Sequence, residues 1–251
     1  MINYIKEYKL STTWEDKMIK IDENMNDRYQ NTSFGILVFQ NFCEQPGSKK
    51  IFNNIVYNEL DEIRKYHSNY DRKTFCENDE VVQQYVRYYK RFKKTYHVLP
   101  QLESVLNGKV FPDTIPLVQA LFMTELKTSL LIAGHDLKKC QLPLTITMSQ
   151  GDETFFGSGN RNIVLKPNDI CLKDQENYLL SIIYGQDEKT LITQETTDVL
   201  FLIDGVPGLE RKYVEQGLEA LLRYVRVFSP HANPIDMRVI SASSLSGSEN
   251  Q

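Results

Sequence analysis

The chain has 251 residues, of which 41% are hydrophobic and 25% charged, with a formal net charge of −4 and a pI of about 5.7. This length and composition allow a substantial buried core and exclude a largely disordered protein. The weak negative charge excludes a broad basic surface for nucleic acid, so any RNA contact has to come from a local patch.

The sequence gives no sign of export, a membrane or a metal. No apolar run approaches the roughly 20 residues of a membrane span, and residues 1–17 mix charges of both signs without the apolar centre of a signal peptide. The four cysteines lie far apart without a C-x-x-C pair, so zinc-ligand spacing is absent. We expect a cytoplasmic protein with free thiols, no cofactor and no metal.

The first half of the chain is predicted to be mainly helical. Its elements are a buried strand over 33–42, a helix over 51–67, a helical stretch over 77–109 interrupted near Pro100 and stopped at Gly108, and a helix over 113–127 capped by Thr114. The inward face of the helix over 51–67 is expected to consist of Ile51, Ile55, Val56, Leu60 and Ile63.

The second half is predicted to be rich in strands. Gly134 indicates a turn in "IAGHDL" (132–137), after which short β-rich runs alternate with turn residues. These runs are 142–149, 161–167, 169–174, 178–185 and 198–205. A final amphipathic helix over 209–228 should bury Val214, Leu218, Leu221, Leu222 and Val225.

We expect one α+β domain over 1–242, because the first strand and the last helix need a common core in which to bury their apolar faces. Its parts are a strand and helices over 33–128, a strand-rich pocket region over 129–205, and the helix over 209–228. The polar tail 243–251 should be disordered.

Two stretches, one rich in glycine and one rich in basic residues, each allow a functional and a structural interpretation. "FFGSGN" (155–160) lies between strands rather than before a helix, which favours a hairpin over a phosphate loop. "RYYKRFKK" (87–94) interleaves aromatic and basic residues, a pattern that can contact phosphates and stack bases. The alternative is a helix with buried aromatics and a solvated basic face. The candidate RNA contacts are Arg87, Lys90, Arg91, Lys93 and Lys94.

Polar residues collect where two predicted strands of the second half meet. Residues 182–205 place Tyr184, Gln186, Lys189 and Thr190 around a bend at the mouth of a strand pair, where a small pocket would find its hydrogen-bonding groups. A solvated hairpin is the alternative. His135 is likewise either a pocket residue or a spacer in a turn.

Several stretches, taken in order, resemble the B3/B4 domain, the editing domain of the phenylalanyl-tRNA synthetase β chain. The resemblance rests on order and spacing rather than on one motif, and covers roughly 33–242. The stretches are "PLVQALFMTELKTSLLIAGHDLKK" (116–139), "GDETFFGSG" (151–159), "DICLKD" (169–174), "ITQETTD" (192–198) and "VLFLIDGV" (199–206).

The resemblance implies layered mixed β-sheets with flanking helices around one pocket, and a reaction. The family's editing domain hydrolyses the ester between a wrong amino acid and the 3′ end of tRNA, with water as nucleophile and without a metal. It therefore implies that this chain hydrolyses mischarged aminoacyl-tRNA in trans, with tRNA as its partner.

The resemblance also assigns residues. Glu188 falls on the family's pocket glutamate, while the pocket histidine and asparagine fall on Ala133 and Phe122. His135 and Glu188 are the candidate catalytic residues. The candidate substrate-binding residues are Phe122, Ala133, Gly134, Asp136, Tyr184, Gln186, Lys189 and Thr190. Because Ala133 and Phe122 replace polar groups, a module that binds an amino acid, a small metabolite or a tRNA end without catalysis is the alternative.

Overall fold

The computed structural model describes residues 18–242. Its helices are α1 (Met25–Arg28), α2 (Ser48–Tyr66), α3 (Arg72–Asn78), α4 (Glu80–Lys90), α5 (Val98–Leu106), α6 (Pro116–Thr128) and α7 (Arg211–Phe228). Its strands are β1 (Ile19–Ile21), β2 (Ser33–Phe39), β3 (Ile132–Asp136), β4 (Leu144–Met148), β5 (Thr154–Gly157), β6 (Arg161–Val164), β7 (Ile170–Lys173), β8 (Tyr178–Ser181), β9 (Gly185–Gln186), β10 (Val199–Ile203) and β11 (Asp236–Ser241). This mixture confirms the predicted α+β class. The predicted disordered tail, 243–251, lies outside the described residues.

A four-stranded antiparallel sheet of order β11–β2–β10–β3 forms the centre of the fold. Every residue of β2 and β10 is buried, which explains why both sequences are continuous apolar runs rather than alternating ones. Helix α7 packs against β2 and β10, and α6 packs against α7 and β3. The first predicted strand and the last predicted helix therefore do share a core.

A second sheet of order β1–β4–β7–β8–β9 lies beside the first, and β5 and β6 form a separate hairpin. The chain after β9 connects the two sheets, because Leu191 bridges to His135 and the Asp136 amide donates to the Thr190 carbonyl at 2.8 Å. The outer edge of β3 is thus covered by the protein's own backbone. One hydrophobic cluster extends from Ile19 in β1 to Phe228 in α7.

The segment 132–137 is a strand followed by a short 3-10 turn, so the predicted turn at Gly134 is wrong. Gly134 lies at the centre of β3 and pairs with Phe201 of β10. Glycine is needed there for space rather than for a turn, since an added Cβ would lie 2.7 Å from Ile192 Cδ1.

The predicted helix boundaries need three corrections. The helical stretch breaks over 91–97 rather than near Pro100, which lies in the first turn of α5, where a missing N–H costs little. Helix α6 begins with Pro116 after Ile115, so Thr114 is not its cap. Ile51 is 59% exposed, because the buried face of α2 includes Phe52 in place of Ile51. The buried residues of this helix are Ser48, Phe52, Val56, Leu60 and Ile63.

Six of the eleven strands fall within the predicted runs, but five were not anticipated. These are β1, β3, β5, β9 and β11. The strand β11 forms the edge of the central sheet and is only partly buried, so its sequence carries little apolar signal. In the final helix, Leu222 is half-buried rather than inward-facing.

No helix within residues 18–242 has the length and apolarity to cross a membrane. The same residues contain no cluster of three or more His, Cys, Asp or Glu side chains that could hold a metal ion.

Gly205 provides a test of how tightly the central sheet is packed. A Cβ at Gly205 would overlap the backbone carbonyl of Ser33, whereas a Cβ at Gly217 would meet only the side-chain ends of Leu130 and Ile203. We expect Gly205→Ala to lower the free energy of unfolding by about 3 kcal/mol or more, because backbone cannot give way. Gly217→Ala should change it by less than about 2 kcal/mol, since a gain in helix propensity of about 1 kcal/mol offsets the crowding. Urea denaturation measures both, and equal losses would contradict this account of the packing.

Candidate functional site

A cavity of about 210 Å³ opens where α5 and α6 meet the first residues of β3 and the end of the second sheet. We call it the site cavity. Its walls are largely apolar, and its polar lining residues are His97, Gln101, Glu125, Gln186 and Asp204. A second cavity of about 280 Å³ lies next to it, and Gln101 and Phe122 line both.

Glu125 reaches the site cavity from the inward face of α6 and is only 2% exposed. Its Oε1 accepts a hydrogen bond from the Ile132 amide at 3.0 Å, while its Oε2 has no partner among the described residues. Burial raises the pKa of this carboxyl to about 8, against the opposing effects of the Ile132 amide and of Gln101 beside it. Glu125 is therefore mostly protonated at pH 7.

Asp204 follows β10 and brings a second carboxyl to the same cavity, again 2% exposed. Its amide donates to the Leu131 carbonyl at 2.9 Å and its own carbonyl accepts from the Tyr85 hydroxyl at 2.6 Å, so its backbone position is fixed. Its Oδ2 has no partner among residues 18–242. Burial, and then the charge of Glu125, raises the pKa of Asp204 well above its ordinary value.

His97 lies just before α5 and contributes a ring to the cavity wall. Its Nδ1 lies 3.0 Å from the Tyr89 hydroxyl, which donates to the Ile182 carbonyl. The Tyr89 hydroxyl has only one proton, which it donates to Ile182, so it must accept a hydrogen bond from His97 Nδ1. The ring proton of His97 is therefore on Nδ1, and Nε2 carries a lone pair. Burial lowers the pKa of His97 to about 4, so the ring is neutral at pH 7.

Four residues predicted from the sequence do line the site cavity: Phe122, Ala133, Gly134 and Gln186. The Gln186 amide nitrogen donates to the Gly134 carbonyl at 2.9 Å, and the Gly134 amide donates back at 3.4 Å. The glutamine side chain thus continues the sheet edge at β3. Phe122 forms part of the wall and does not fill the cavity.

His135 does not line the site cavity, although its sequence context suggested it. The side chain is fully buried, with Nδ1 2.7 Å from the Thr190 hydroxyl, which in turn donates to the Asp187 carboxylate. Burial lowers the pKa of His135 to about 4. This chain of hydrogen bonds ties β3 to the segment after β9, and no lining role is visible for Thr190 or for Asp136, whose Oδ2 accepts from Thr196.

The remaining predicted residues also lie away from the cavity lining. Glu188 is half-exposed and accepts a hydrogen bond from the Gly159 amide at 2.6 Å, which fastens it to the turn of the β5–β6 hairpin. Lys189 is exposed. Tyr184 is half-buried beneath Lys94, whose Nζ lies 4.4 Å from the ring centre. Glu188 and His135 therefore do not converge on one ligand position.

The sequence model of the B3/4 domain family matches residues 84–233. The chain belongs to this family. Among solved structures, an N-terminal fragment of the phenylalanyl-tRNA synthetase β-subunit from Pyrococcus horikoshii is similar, with a TM-score of 0.42 and 11% identity. That match covers 84% of this chain and 48% of the other, so this B3/4 protein spans about half of that fragment. No curated protein matches the chain.

Four polar residues of the B3/4 site cavity were not anticipated: His97, Gln101, Glu125 and Asp204. Two of them carry a sequence signal that could have been used. Glu125 is an acidic residue within the apolar run 117–126, and Asp204 directly follows a fully buried strand. A carboxyl in such a position is buried and calls for a functional explanation. His97 and Gln101 carry no comparable signal, because both lie in a mixed helical sequence.

The basic stretch 87–94 has buried aromatic side chains and exposed basic ones, as the alternative to a base-stacking surface requires. Tyr88, Tyr89 and Phe92 are buried and cannot stack on bases, which corrects that part of the prediction. All five candidate cations are exposed, although Arg91 is engaged by the rings of Tyr29, Tyr88 and Phe92. Only the charges remain available for an RNA contact.

Glu125 makes the stability of this B3/4 domain depend on pH. Its folded-state pKa of about 8 exceeds the ordinary value of 4.5, so its contribution to stability is complete below pH 4.5 and is lost as the pH rises through 8.

Glu125→Gln keeps the acceptor for the Ile132 amide and cannot ionise. We expect the variant to gain stability over the wild type between pH 5 and 8, by at most about 5 kcal/mol at about 1.36 kcal/mol per pKa unit. Urea denaturation at both pH values measures this, with the exposed Glu219→Gln as control. Parallel pH dependence in wild type and Glu125→Gln would show that Glu125 is ionised throughout.

Proposed function

We propose that this B3/4 domain hydrolyses mischarged aminoacyl-tRNA in trans, with the aminoacyl group bound in the site cavity. The observation that carries the proposal is a neutral histidine, His97, on the wall of a small cavity that also holds buried carboxyls. Neighbouring groups whose pKa values are pushed in opposite directions, as those of His97 and Glu125 are, characterise catalytic sites. The family resemblance supplies the reaction class.

Ester hydrolysis needs a positioned water and a group to take its proton. His97 Nε2 meets the second need, because Tyr89 holds the other ring nitrogen and fixes the tautomer. The water oxygen bonds to the ester carbonyl carbon and its proton passes to Nε2. The bond from that carbon to the tRNA 3′ oxygen then breaks, and this oxygen takes the proton back from His97.

The volume of the site cavity also fits a single aminoacyl group. Pockets for drug-sized ligands occupy about 300–1,000 Å³, whereas this one measures about 210 Å³. A single amino-acid moiety is the appropriate occupant. Phe122 and Ala133 line the cavity with apolar surface, which favours an apolar side chain on the bound aminoacyl group.

Release of amino acid from a panel of mischarged tRNAs tests the reaction. We expect His97→Asn to lower kcat/KM about 10²- to 10⁴-fold, the usual contribution of a general base, because the asparagine amide can replace only the Nδ1 donor. The exposed His231→Asn is the matched control and should leave the rate unchanged. His135→Asn tests the sequence-based assignment of that residue in the same assay.

Two results would contradict the proposal. If no aminoacyl-tRNA turns over above the uncatalysed rate, this chain is not a deacylase of that kind. If His135→Asn or Glu188→Gln abolishes turnover while His97→Asn does not, the catalytic group is the one predicted from the sequence.

A binding module without catalysis is the second candidate. It is favoured by the positions of His135 and Glu188 outside the cavity lining and by the apolar Phe122 and Ala133 within it. Such a module would bind a free amino acid, a small metabolite or the tRNA end in the same cavity. Saturable binding of an amino acid together with zero turnover on every tRNA would select it.

The basic stretch supplies the proposed tRNA contact. Lys90 and Lys93 are exposed and form no ion pair within the described part of the chain. If two to four phosphates are contacted, the logarithm of the tRNA affinity should fall against the logarithm of salt concentration with a slope of roughly −2 to −4, at about −0.9 per contact.

Reversing both lysines to glutamate should weaken tRNA binding and make that slope shallower by about 2, while the melting temperature stays within a few degrees. The control reverses Lys50 and Lys73, which are exposed elsewhere. Filter binding across a salt series measures both variants. Equal affinity for the Lys90/Lys93 variant and the wild type would leave this segment as a solvated surface.

A further inference from the structure

Three buried oxygen atoms of residues that line the site cavity have no hydrogen-bond partner among the described residues. They are Glu125 Oε2, Asp204 Oδ2 and Gln101 Oε1. All three accept hydrogen bonds when Glu125 is ionised and the proton of Asp204 is on Oδ1. Buried acceptors without a partner are rare and unfavourable, since each costs roughly 1–3 kcal/mol. Three on one cavity indicate that a ligand supplies the missing donors.

The protein itself offers no cation to this group. Neither Glu125 nor Asp204 takes part in an ion pair within residues 18–242. The titratable groups around the two carboxyls are either neutral or acidic. They are Tyr85, Tyr89 and Tyr96 from the α4 region, His97, and Asp169.

A primary ammonium group matches these acceptors in number, and its single positive charge balances one ionised carboxylate. It has three N–H donors and no acceptor, and its charge offsets that of an ionised carboxylate. An isolated carboxylate in a buried cavity would be strongly unfavourable, whereas a paired one is not. A neutral hydroxyl, by contrast, supplies one donor and would leave two of the three oxygens without a partner.

We propose that Glu125, Asp204 and Gln101 form a subsite for a primary ammonium group of the ligand. The inference rests on the proposed function only in placing an aminoacyl group in the site cavity. The ammonium group is either the α-amino group of that aminoacyl moiety or the amine of a cationic side chain. Both carry the same donors, and the experiment separates them.

Binding of the cation should release a proton. Without a cation beside it, burial keeps the proton on Glu125, with a pKa of about 8. The arriving ammonium keeps its own three protons and favours the carboxylate form, so the Glu125 proton leaves to solvent. Asp204 keeps its proton, because burial raises its pKa well above the ordinary value, so the negative charge of Glu125 and the positive charge of the ammonium group cancel.

Titration calorimetry of the full chain at pH 7 tests the subsite with three probes. The probes are L-leucinamide, which carries an α-amino group; its N-acetyl derivative, which lacks the ammonium; and N-α-acetyl-lysinamide, which carries only a side-chain amine. Running each titration in phosphate and in Tris gives the number of protons released, because the two buffers differ in ionisation enthalpy.

We expect an amine-bearing probe to bind with release of nearly one proton and the N-acetyl-leucinamide not to bind. Glu125→Gln should weaken that binding about 10- to 100-fold, the range for hydrogen bonds to charged groups, and abolish the proton release. Asp204→Asn should weaken it similarly, and Glu219→Gln should not. The melting temperature of each variant shows that the loss is one of binding and not of folding.

Each outcome of these titrations either supports the ammonium subsite or contradicts it. Binding of leucinamide alone assigns the subsite to the α-amino group, and binding of N-α-acetyl-lysinamide alone assigns it to a side-chain amine. Equal binding of the N-acetyl-leucinamide, unchanged affinity in Glu125→Gln, or no heat from any probe at millimolar concentration overturns the inference. Amine binding that depends on Glu125 without any tRNA deacylation would leave the subsite standing while removing the hydrolase proposal.

Discussion

The backbone at the start of β3, from the preceding Leu131 to Ile132, holds the two buried carboxyls in place, and the rest of the site is arranged around them. Leu131 accepts from the Asp204 amide and donates to the Tyr85 hydroxyl, which itself donates to the Asp204 carbonyl. The next residue, Ile132, donates to Glu125. Backbone groups at the edge of a sheet thus position acids from α6 and from the end of β10. Because these are backbone bonds, no side-chain substitution on β3 can remove them directly.

Burying these two carboxyls lowers the stability of the fold, and the packing of the core does not require it. Filling the same volume with apolar side chains would avoid desolvating two carboxyls, and such replacements often stabilise proteins. Here the carboxyls instead border an open cavity, and each retains an oxygen without a partner. A locally unfavourable group held by an otherwise satisfied frame is the usual mark of a binding or catalytic site. Three such oxygens border the cavity, whereas the network around His135 leaves one buried atom, Nε2, without a partner among the described residues, so the cavity carries more functional information.

The sequence predicted the strands that are continuous apolar runs, but it missed β3, which is fully buried and yet contains Gly134, His135 and Asp136. Continuous apolar runs identified β2 and β10, while the edge strand β11 and the two-residue β9 left no comparable pattern. The site was predicted in part. Gln186 and the residues of β3 follow from the family's spacing, whereas the approach of α5 and α6 to that strand depends on long-range packing. His97 and Gln101 are brought in by this packing and could not be found by local reasoning.

His135 shows how a residue can occupy a conspicuous position without touching the cavity. Residues alternate between the two faces of a strand, so within β3 the side chains of Ala133 and His135 point the same way, yet only Ala133 lines the cavity. The difference arises from the chain after β9, which covers the outer end of β3 and engages His135 through Thr190 and Asp187. Gln186, which reaches the cavity, lies in β9 directly before this segment. His135 therefore fixes the segment after β9 against β3, the strand to which the Gln186 amide is also hydrogen bonded.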